Sequence, residues 1–365
     1  MKLPISQTEF LCEYWQKKPL LLPQALPGFT SPLSANELAG FAMEAFVESR
    51  IIAKCRGAWT QQQGPFCAED FHREDEWTLL VQGMDQWHEG VSALRSHLGF
   101  LPRWRFDDIM ISYAVEGAGV GPHFDRYDVF LLQADGCREW RIGHHCGEDT
   151  PLIEANGLTL IPEFDPCDTY LLSPGDILYV PPGIAHWGIA RGESLTFSLG
   201  FRAPSIADLL ARRVDNLLEQ LATTSLLEDI PDMLPARPGE ITVEHIRNAK
   251  DALANACDAL DDDRWFGEIV TRNHRTHTDD VSDSTLPLTG PFVRLSGSAR
   301  VAWTSRKQHL NVFINGETFI VPSSAIQNLE ALCRQEAVAL ASLTDSDDEL
   351  LSALKEMGAL EDCDR

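Results

Sequence analysis

The sequence has no CxxC pair. Its nine cysteines stand singly at positions 12, 55, 67, 137, 146, 167, 257, 333 and 363, and an odd number cannot all pair within one chain, so neither a disulfide framework nor a zinc ribbon is expected and reduced thiols are the default. Long apolar runs are also missing. No stretch approaches the ~18 consecutive apolar residues of a membrane span, and MKLPISQTEFLCEYWQKKPLLL at the N-terminus has no apolar run of signal-peptide length behind its basic residue. A cytoplasmic protein with no membrane partner is expected. Basic charge is scarce as well: 30 Lys and Arg against 55 Asp and Glu give a formal charge of −25, a field that repels polyanions and attracts basic partners. Free nucleic acid is therefore a poor ligand and a basic protein a better one, although solubility or a salty habitat accounts for the same acidity.

What remains is ordinary globular material, 44% hydrophobic and 23% charged over 365 residues, enough for real cores and long enough for two or three domains. In the first hundred residues Phe10, Leu11, Tyr14 and Trp15 recur at helical spacing. Pro19 ends that pattern and Leu20 to Leu22 begin an extended run. Ser34 to Ala45 predicts a second helix, with Ser34 as N-cap and Glu37 completing a capping box. From about 107 to 202 short strands follow (IMISYAV, DVFLLQA, EWRIG, TYLLS, DILYVP, SLTFSLGF), punctuated by Ser173-Pro174-Gly175-Asp176 and Pro181-Pro182-Gly183, which predicts an antiparallel barrel or sandwich. After Pro204 the period turns helical: Ile206, Leu209, Leu210, Val214, Leu217, Leu218 and Leu221 line one helix, and Val243, Ile246, Ala249, Leu253, Cys257 and Leu260 a second. Trp265, Phe266, Ile269 and Val270 suggest a third, and Pro231, Pro235 and Pro238 mark a loop between the first two. Such faces need burial, on their own domain or on a copy of the chain, which points to a homodimer. The polar stretch 275–290 reads as a linker. Beyond it Phe292 to Ala302 and Leu310 to Val321 read as strands with an Asn315-Gly316 hairpin turn, and 323–361 as helices. That small unit suits a winged-helix fold, but its acidic tail (Asp345, Asp347, Asp348, Glu349, Glu356, Glu361, Asp362, Asp364) argues against DNA binding. The expected domains are 1–204, 205–275 and 276–365.

The chemistry concentrates in GVGPHFDRYDVFLL. His123 and Asp125 stand two apart at the start of an expected strand, so that both face one way. His186 follows 63 positions later in GDILYVPPGIAHW, on the turn after another expected strand. Two imidazoles and one carboxylate on one face of a metal leave the other face open, the arrangement by which non-haem Fe(II) enzymes take a co-substrate and oxygen. Gly117, Gly119 and Gly121 suit backbone crowded against a ligand, although a flexible loop is the plain alternative for three glycines. Arg138, fifteen positions beyond His123 on what should be the adjoining strand, offers a fixed cation to the cavity, although an ordinary strand arginine paired with Glu139 or Asp135 is the plain alternative. Tyr127 and Asp128 are candidates for the substrate entrance, Asp128 to meet an incoming guanidinium, with packing or hydrogen bonding as the alternative for both. His144 and His145 read as a loop pair outside the ligand set, and Trp187 as core.

HFD, then Arg138 in GCREW, then PPGIAHW resembles the JmjC branch of the 2-oxoglutarate oxygenases. Arginine in place of the usual lysine, together with YWQKKPLLL and SLGFRAP, resembles the bacterial ribosomal oxygenases over essentially the whole chain. The resemblance implies an α+β protein: a double-stranded β-helix (JmjC/cupin-like) barrel, a helical dimerisation domain and a small winged-helix-like C-terminal domain. It implies His123, Asp125 and His186 as Fe(II) ligands, 2-oxoglutarate and O2 as co-substrates, Arg138 as anchor of the far carboxylate and Ser112 as a second contact to it. The implied reaction is 3-hydroxylation of an arginine in a basic large-subunit ribosomal protein. Two other readings of the barrel are a cupin metalloenzyme that does not use 2-oxoglutarate, which leaves Arg138 without a role, and a non-catalytic ligand-binding barrel, which would want a broken triad or a basic, groove-reading C-terminal domain.

Overall fold

The structure, a computed structural model, describes residues 4–221, 226–229, 237–259, 263–272 and 288–363. Pro231, Pro235, Leu260, the expected linker over 275–287 and Asp364 lie outside the described residues. The chain forms two compact units, residues 1–203 with 295–298, and residues 204–294 with 299–365.

The first unit is built on one nine-stranded sheet. Its strands are β1 (Leu20–Leu22), β2 (Ser49–Cys55), β3 (Ala58–Gln63), β4 (Glu76–Val81), β5 (Phe106–Ala114), β6 (Asp128–His145), β9 (Asp168–Leu172), β10 (Ile177–Val180) and β11 (Ile184–Phe201), with a separate hairpin of β7 (Ile153–Ala155) and β8 (Leu158–Leu160). The order is β1-β10-β6-β11-β5-β4-β2-β3, and β9 pairs with β6. Every pairing is antiparallel.

Two of these strands differ from the sequence expectation. DVFLLQA and EWRIG, expected as separate strands, form the single 18-residue β6, and β11 likewise runs from the residues just before His186 through SLTFSLGF. A register shift between Arg191 and Leu195 of β11 bends the pair opposite Asp135 and Cys137. Gly136 makes the bend possible: its φ is 61°, and a Cβ there would lie 2.0 Å from the Glu193 carbonyl oxygen. Before the bend β6 pairs with β10 and the end of β11; beyond it, β6 pairs with β9 and the start of β11. One strand thus serves both halves of the barrel. Its faces are both buried, Phe130 and Leu132 in the larger core and Val129 and Leu131 in a second cluster with Trp140, Leu178 and Val180, which explains the continuous apolar run of its first half.

The N-terminal segment closes the larger core. Phe10 stacks among Tyr14, Trp15, Phe130 and Tyr179. Leu20 to Leu22 add β1 to the sheet edge beside β10. The helix Ala35–Ala42 starts where expected: Ser34 Oγ accepts from the Glu37 amide and the Glu37 carboxylate accepts from the Ser34 amide.

The second unit holds the helices Ile206–Gln220, Val243–Ala259 and Arg264–Thr271, matching the three apolar stripes. Beyond them lie β12 (Phe292–Leu295), β13 (Val301–Ser305), β14 (His309–Ile314), β15 (Glu317–Pro322), β16 (Val338–Ala339) and β17 (Leu360–Cys363), with the helices Ile326–Cys333, Leu340–Ser346 and Asp348–Glu356. Asn315 and Gly316 make the β14–β15 turn with φ of 50° and 94°, as the dipeptide demands. Phe292 to Ala302 is not one strand but two, and the tail contributes β16 and β17 to a three-stranded sheet with β12 besides its helices.

Candidate metal centre

His123 and Asp125 do not sit on a strand; β6 begins only at Asp128. What brings the triad together is an isolated antiparallel bridge in which the His123 amide donates to the His186 carbonyl at 3.1 Å and the His186 amide to the His123 carbonyl at 2.8 Å. The Gly183 amide donates to the Asp125 carbonyl at 2.7 Å, so the Pro-Pro-Gly turn holds the loop that carries the carboxylate. His186 itself is the third residue of β11 and not part of the turn. Glycine is required beside it: a Cβ on Gly119 would lie 2.1 Å from the Gly188 carbonyl oxygen.

The three side chains offer one ligand atom each, all within 4.8 Å of one another, the only such group of three or more His, Cys, Asp or Glu among the described residues. His186 Nε2 lies 3.6 Å from Asp125 Oδ2, and the two imidazole centroids are 4.4 Å apart. Each imidazole is oriented by a main-chain carbonyl: His123 Nδ1 meets Gly121 O and His186 Nδ1 meets Ile184 O, both at 2.9 Å. With Nδ1–H donating, the Nε2 lone pair is left for a ligand. Burial, reinforced by the neighbouring His123, pushes the His186 pKa down to about 4, so the ring is neutral at pH 7, the form that binds metal. This donor set fits a divalent ion with open coordination positions.

A cavity of ≈ 180 Å³ extends from the triad, lined by Tyr127, Leu131, Ser112 and Arg138 among others. Arg138 is on β6 itself, beyond the bend, opposite Ala190 of β11 and Leu172 of β9; no adjoining strand is needed to carry it. The plain alternative for it, a surface arginine paired with a carboxylate, does not hold. Its side chain is buried, Nη1 donates to Ser112 Oγ at 3.0 Å and Nη2 to Ser194 Oγ at 3.2 Å, and Nε has no partner. Glu139 is engaged elsewhere, by Arg141 and Arg191. Burial lowers the Arg138 pKa to about 10, yet leaves the group charged at neutral pH. A buried charge held by two neutral hydroxyls costs several kcal/mol, and an anion entering the cavity offsets that cost. Ser194 escaped the sequence reading; the signal for it is the alternation Ser194, Thr196, Ser198 in the otherwise apolar last part of β11, SLTFSLGF, which marks one polar face.

The other candidates separate. Tyr127 lines the cavity, its phenol held protonated by burial and by Asp125. Asp128 faces away from it: fully buried, it accepts from Arg105 Nη2 at 2.8 Å and from the Tyr179 hydroxyl at 2.6 Å, so of its two readings the structural one holds. His144 and His145 end β6 instead of forming a loop, exposed, with His144 Nδ1 3.3 Å from Cys167 Sγ. Trp187 is half-buried and not core, with Arg141 5.4 Å from its ring and Phe164 6.3 Å away.

Residues 93–209 match the JmjC domain family and residues 246–361 the ROXA-like winged helix family. The ribosomal protein uL16 3-hydroxylase of Escherichia coli K12 is 36% identical over 283 residues, 74% of this chain and 73% of that one. The chain belongs to the JmjC ribosomal oxygenases. Its JmjC barrel and C-terminal winged helix are those of the family. A Haemophilus influenzae protein named "Probable ribosomal oxygenase" is 30% identical over 332 residues, covering 86% of this chain and 82% of that one. Among solved structures, E. coli YcfD superposes with a TM-score of 0.83 at 32% identity over 99% of both chains. The YcfD complex with cobalt and 2-oxoglutarate superposes with a TM-score of 0.80, again covering 99% of both chains.

Proposed function

We propose that this ribosomal oxygenase is an Fe(II)- and 2-oxoglutarate-dependent protein hydroxylase that acts on a basic large-subunit ribosomal protein, adding a hydroxyl at carbon 3 of an arginine side chain. The observation that carries the reading is the pairing, in one cavity, of an open two-histidine, one-carboxylate face with a buried guanidinium that lacks a counter-ion. His123, Asp125 and His186 are the metal ligands in this reading. Arg138 receives the far carboxylate of 2-oxoglutarate through a charge-assisted contact that its planar fork makes better than lysine would. Ser112 and Ser194 hold that fork in place by accepting from both terminal nitrogens, a positioning role for Ser112 in addition to the direct contact expected for it. The bound metal supplies the redox step in which oxygen and 2-oxoglutarate become succinate and carbon dioxide while one oxygen atom enters a substrate C–H bond. The protein's part is to orient the imidazoles, to keep that of His186 neutral and to exclude bulk water with the apolar wall of Leu131, Leu158 and Leu160.

Homodimerisation belongs to the same reading. Ile206, Leu210, Val214 and Leu218 are exposed along one helix, and Val243, Ile246 and Leu253 along the next, apolar faces that a second copy of the chain would cover. The division of the second unit into a helical part to 275 and a winged-helix part from 276 is retained, as are a cytoplasmic location and a polypeptide, not free nucleic acid, as partner. No helix among the described residues is long and apolar enough to cross a membrane.

Mass spectrometry of large-subunit ribosomal proteins incubated with enzyme, Fe(II), 2-oxoglutarate and oxygen tests the proposal, with His123→Ala in parallel. A gain of one oxygen on an arginine, absent without 2-oxoglutarate and absent in the variant, is the expected result. Turnover of 2-oxoglutarate with no oxygen on any of these proteins would remove the substrate assignment and leave the oxygenase.

A further inference from the structure

The cavity wall carries a second arginine that neither the triad nor the co-substrate anchor uses. Arg50, on β2, is half-buried and lines the cavity with Gln82, Met110 and Ser198. Its Nε is buried without an acceptor, and among the described residues of the barrel unit the only other arginine Nε in that state is that of Arg138. Several arginines elsewhere in the unit are engaged: Nε of Arg73, Arg191 and Arg202 donates to Asp75, Glu139 and Asp107, and Nε of Arg105 to the Arg202 carbonyl. The two residues of this unit that carry a buried Nε without an acceptor are thus both residues of the cavity lining.

The register separates the two in space. Arg50 pairs with Leu80 of β4, which pairs in turn with Ser112 of β5, so the Arg50 backbone lies two strand spacings, about 10 Å, along the wall from the serine that holds Arg138. It sits beside β3, the last strand of the sheet, with β4 between it and the strand that carries Ser112. A donor in that position serves something other than the carboxylate at Arg138.

We infer that Arg50 is a substrate-binding residue that donates to a main-chain carbonyl of the polypeptide beside the side chain entering the cavity. The inference rests on the protein-hydroxylase reading. The acceptors a polypeptide offers are carbonyls and carboxylates; a basic ribosomal protein has few carboxylates, whereas every residue has a carbonyl. Arginine satisfies such an oxygen from Nε and a terminal nitrogen together.

The test uses the full-length enzyme and a fluorescein-labelled peptide spanning the residue that gains oxygen, with binding read by anisotropy on metal-free enzyme and turnover read on the Fe(II) form. Arg50→Gln is expected to weaken peptide binding and raise the peptide KM roughly 10- to 100-fold, the loss of the guanidinium's contact with one carbonyl oxygen. Its KM for 2-oxoglutarate and its melting temperature should stay at wild-type values, and Arg50→Lys should recover part of the loss. Unchanged peptide binding in Arg50→Gln overturns the inference, as does a rise confined to the 2-oxoglutarate KM. If a peptide with its Asp and Glu changed to Asn and Gln no longer distinguishes wild type from Arg50→Gln, a carboxylate is the ligand and the carbonyl assignment falls. Should Arg50→Gln not fold, Arg50→Met and Arg50→Lys carry the same comparison. A wild type that hydroxylates no ribosomal protein sinks the functional reading and this inference with it; an active wild type with an indifferent Arg50→Gln sinks the inference alone.

Discussion

Replacing Arg138 by methionine tests the central argument from two sides. The guanidinium is buried, charged, and held by two serine hydroxyls with Nε unpartnered. In the substrate-free protein it is a cost, so removing the charge while keeping an unbranched apolar stem should leave the metal-free variant at least as stable as wild type, the behaviour seen when buried ionic groups are replaced by apolar ones of similar size. With co-substrate present the sign reverses. Each charged hydrogen bond contributes about 1.5–3 kcal/mol, so losing a two-point contact costs about 3 kcal/mol or more, a rise on the order of 100-fold in the 2-oxoglutarate KM. Arg138→Lys keeps the charge but not the fork and should fall between. Succinate release against 2-oxoglutarate concentration gives the KM. Melting curves of the Mn(II) form with and without 2-oxoglutarate give the linkage, an upward shift in wild type that Arg138→Met abolishes. The reasoning fails if Arg138→Met destabilises the metal-free protein by several kcal/mol, which would make the arginine a structural element, or if its 2-oxoglutarate KM stays within twofold of wild type.

Three further outcomes follow from the same geometry. Asp125→Ala removes the only carboxylate of the triad and should weaken Mn(II) or Co(II) binding at least ~10-fold in titration calorimetry, with the far-ultraviolet circular dichroism unchanged because the loop is held by the main-chain contact to Gly183. Asp128→Ala leaves Arg105 buried without its partner and should cost about 3–5 kcal/mol in urea unfolding, while Fe(II) affinity in the cold remains that of wild type; a loss below about 1 kcal/mol would contradict the structural role given to it. Leu210→Glu with Leu218→Glu places two charges on the exposed apolar stripe of Ile206–Gln220 and should convert a dimer to a monomer in sedimentation velocity, whereas a monomeric wild type would refute the pairing of that face.

The features legible in the sequence are those whose cause is local. A capping box needs only Ser34 and Glu37 three residues apart, a hairpin turn only Asn315-Gly316, and an amphipathic helix only its own period, and each formed where the sequence put it. The triad was legible for a related reason: ligand chemistry is carried by residue type, and His123, Asp125, His186 and Arg138 are the right types whatever strand carries them. Their placement was not legible, because it depends on register between distant segments. Nothing in GVGPHFD signals the bridge to His186, and nothing in DVFLLQADGCREW announces that Gly136 turns one strand through a bend, since the clash that demands glycine comes from the Glu193 carbonyl on β11. Tertiary structure alone decided that Ser194 meets Arg138, that Asp128 points into the core, and that Arg50 faces the cavity. The chain specifies which atoms can bind; strand pairing across dozens of residues specifies which of them meet.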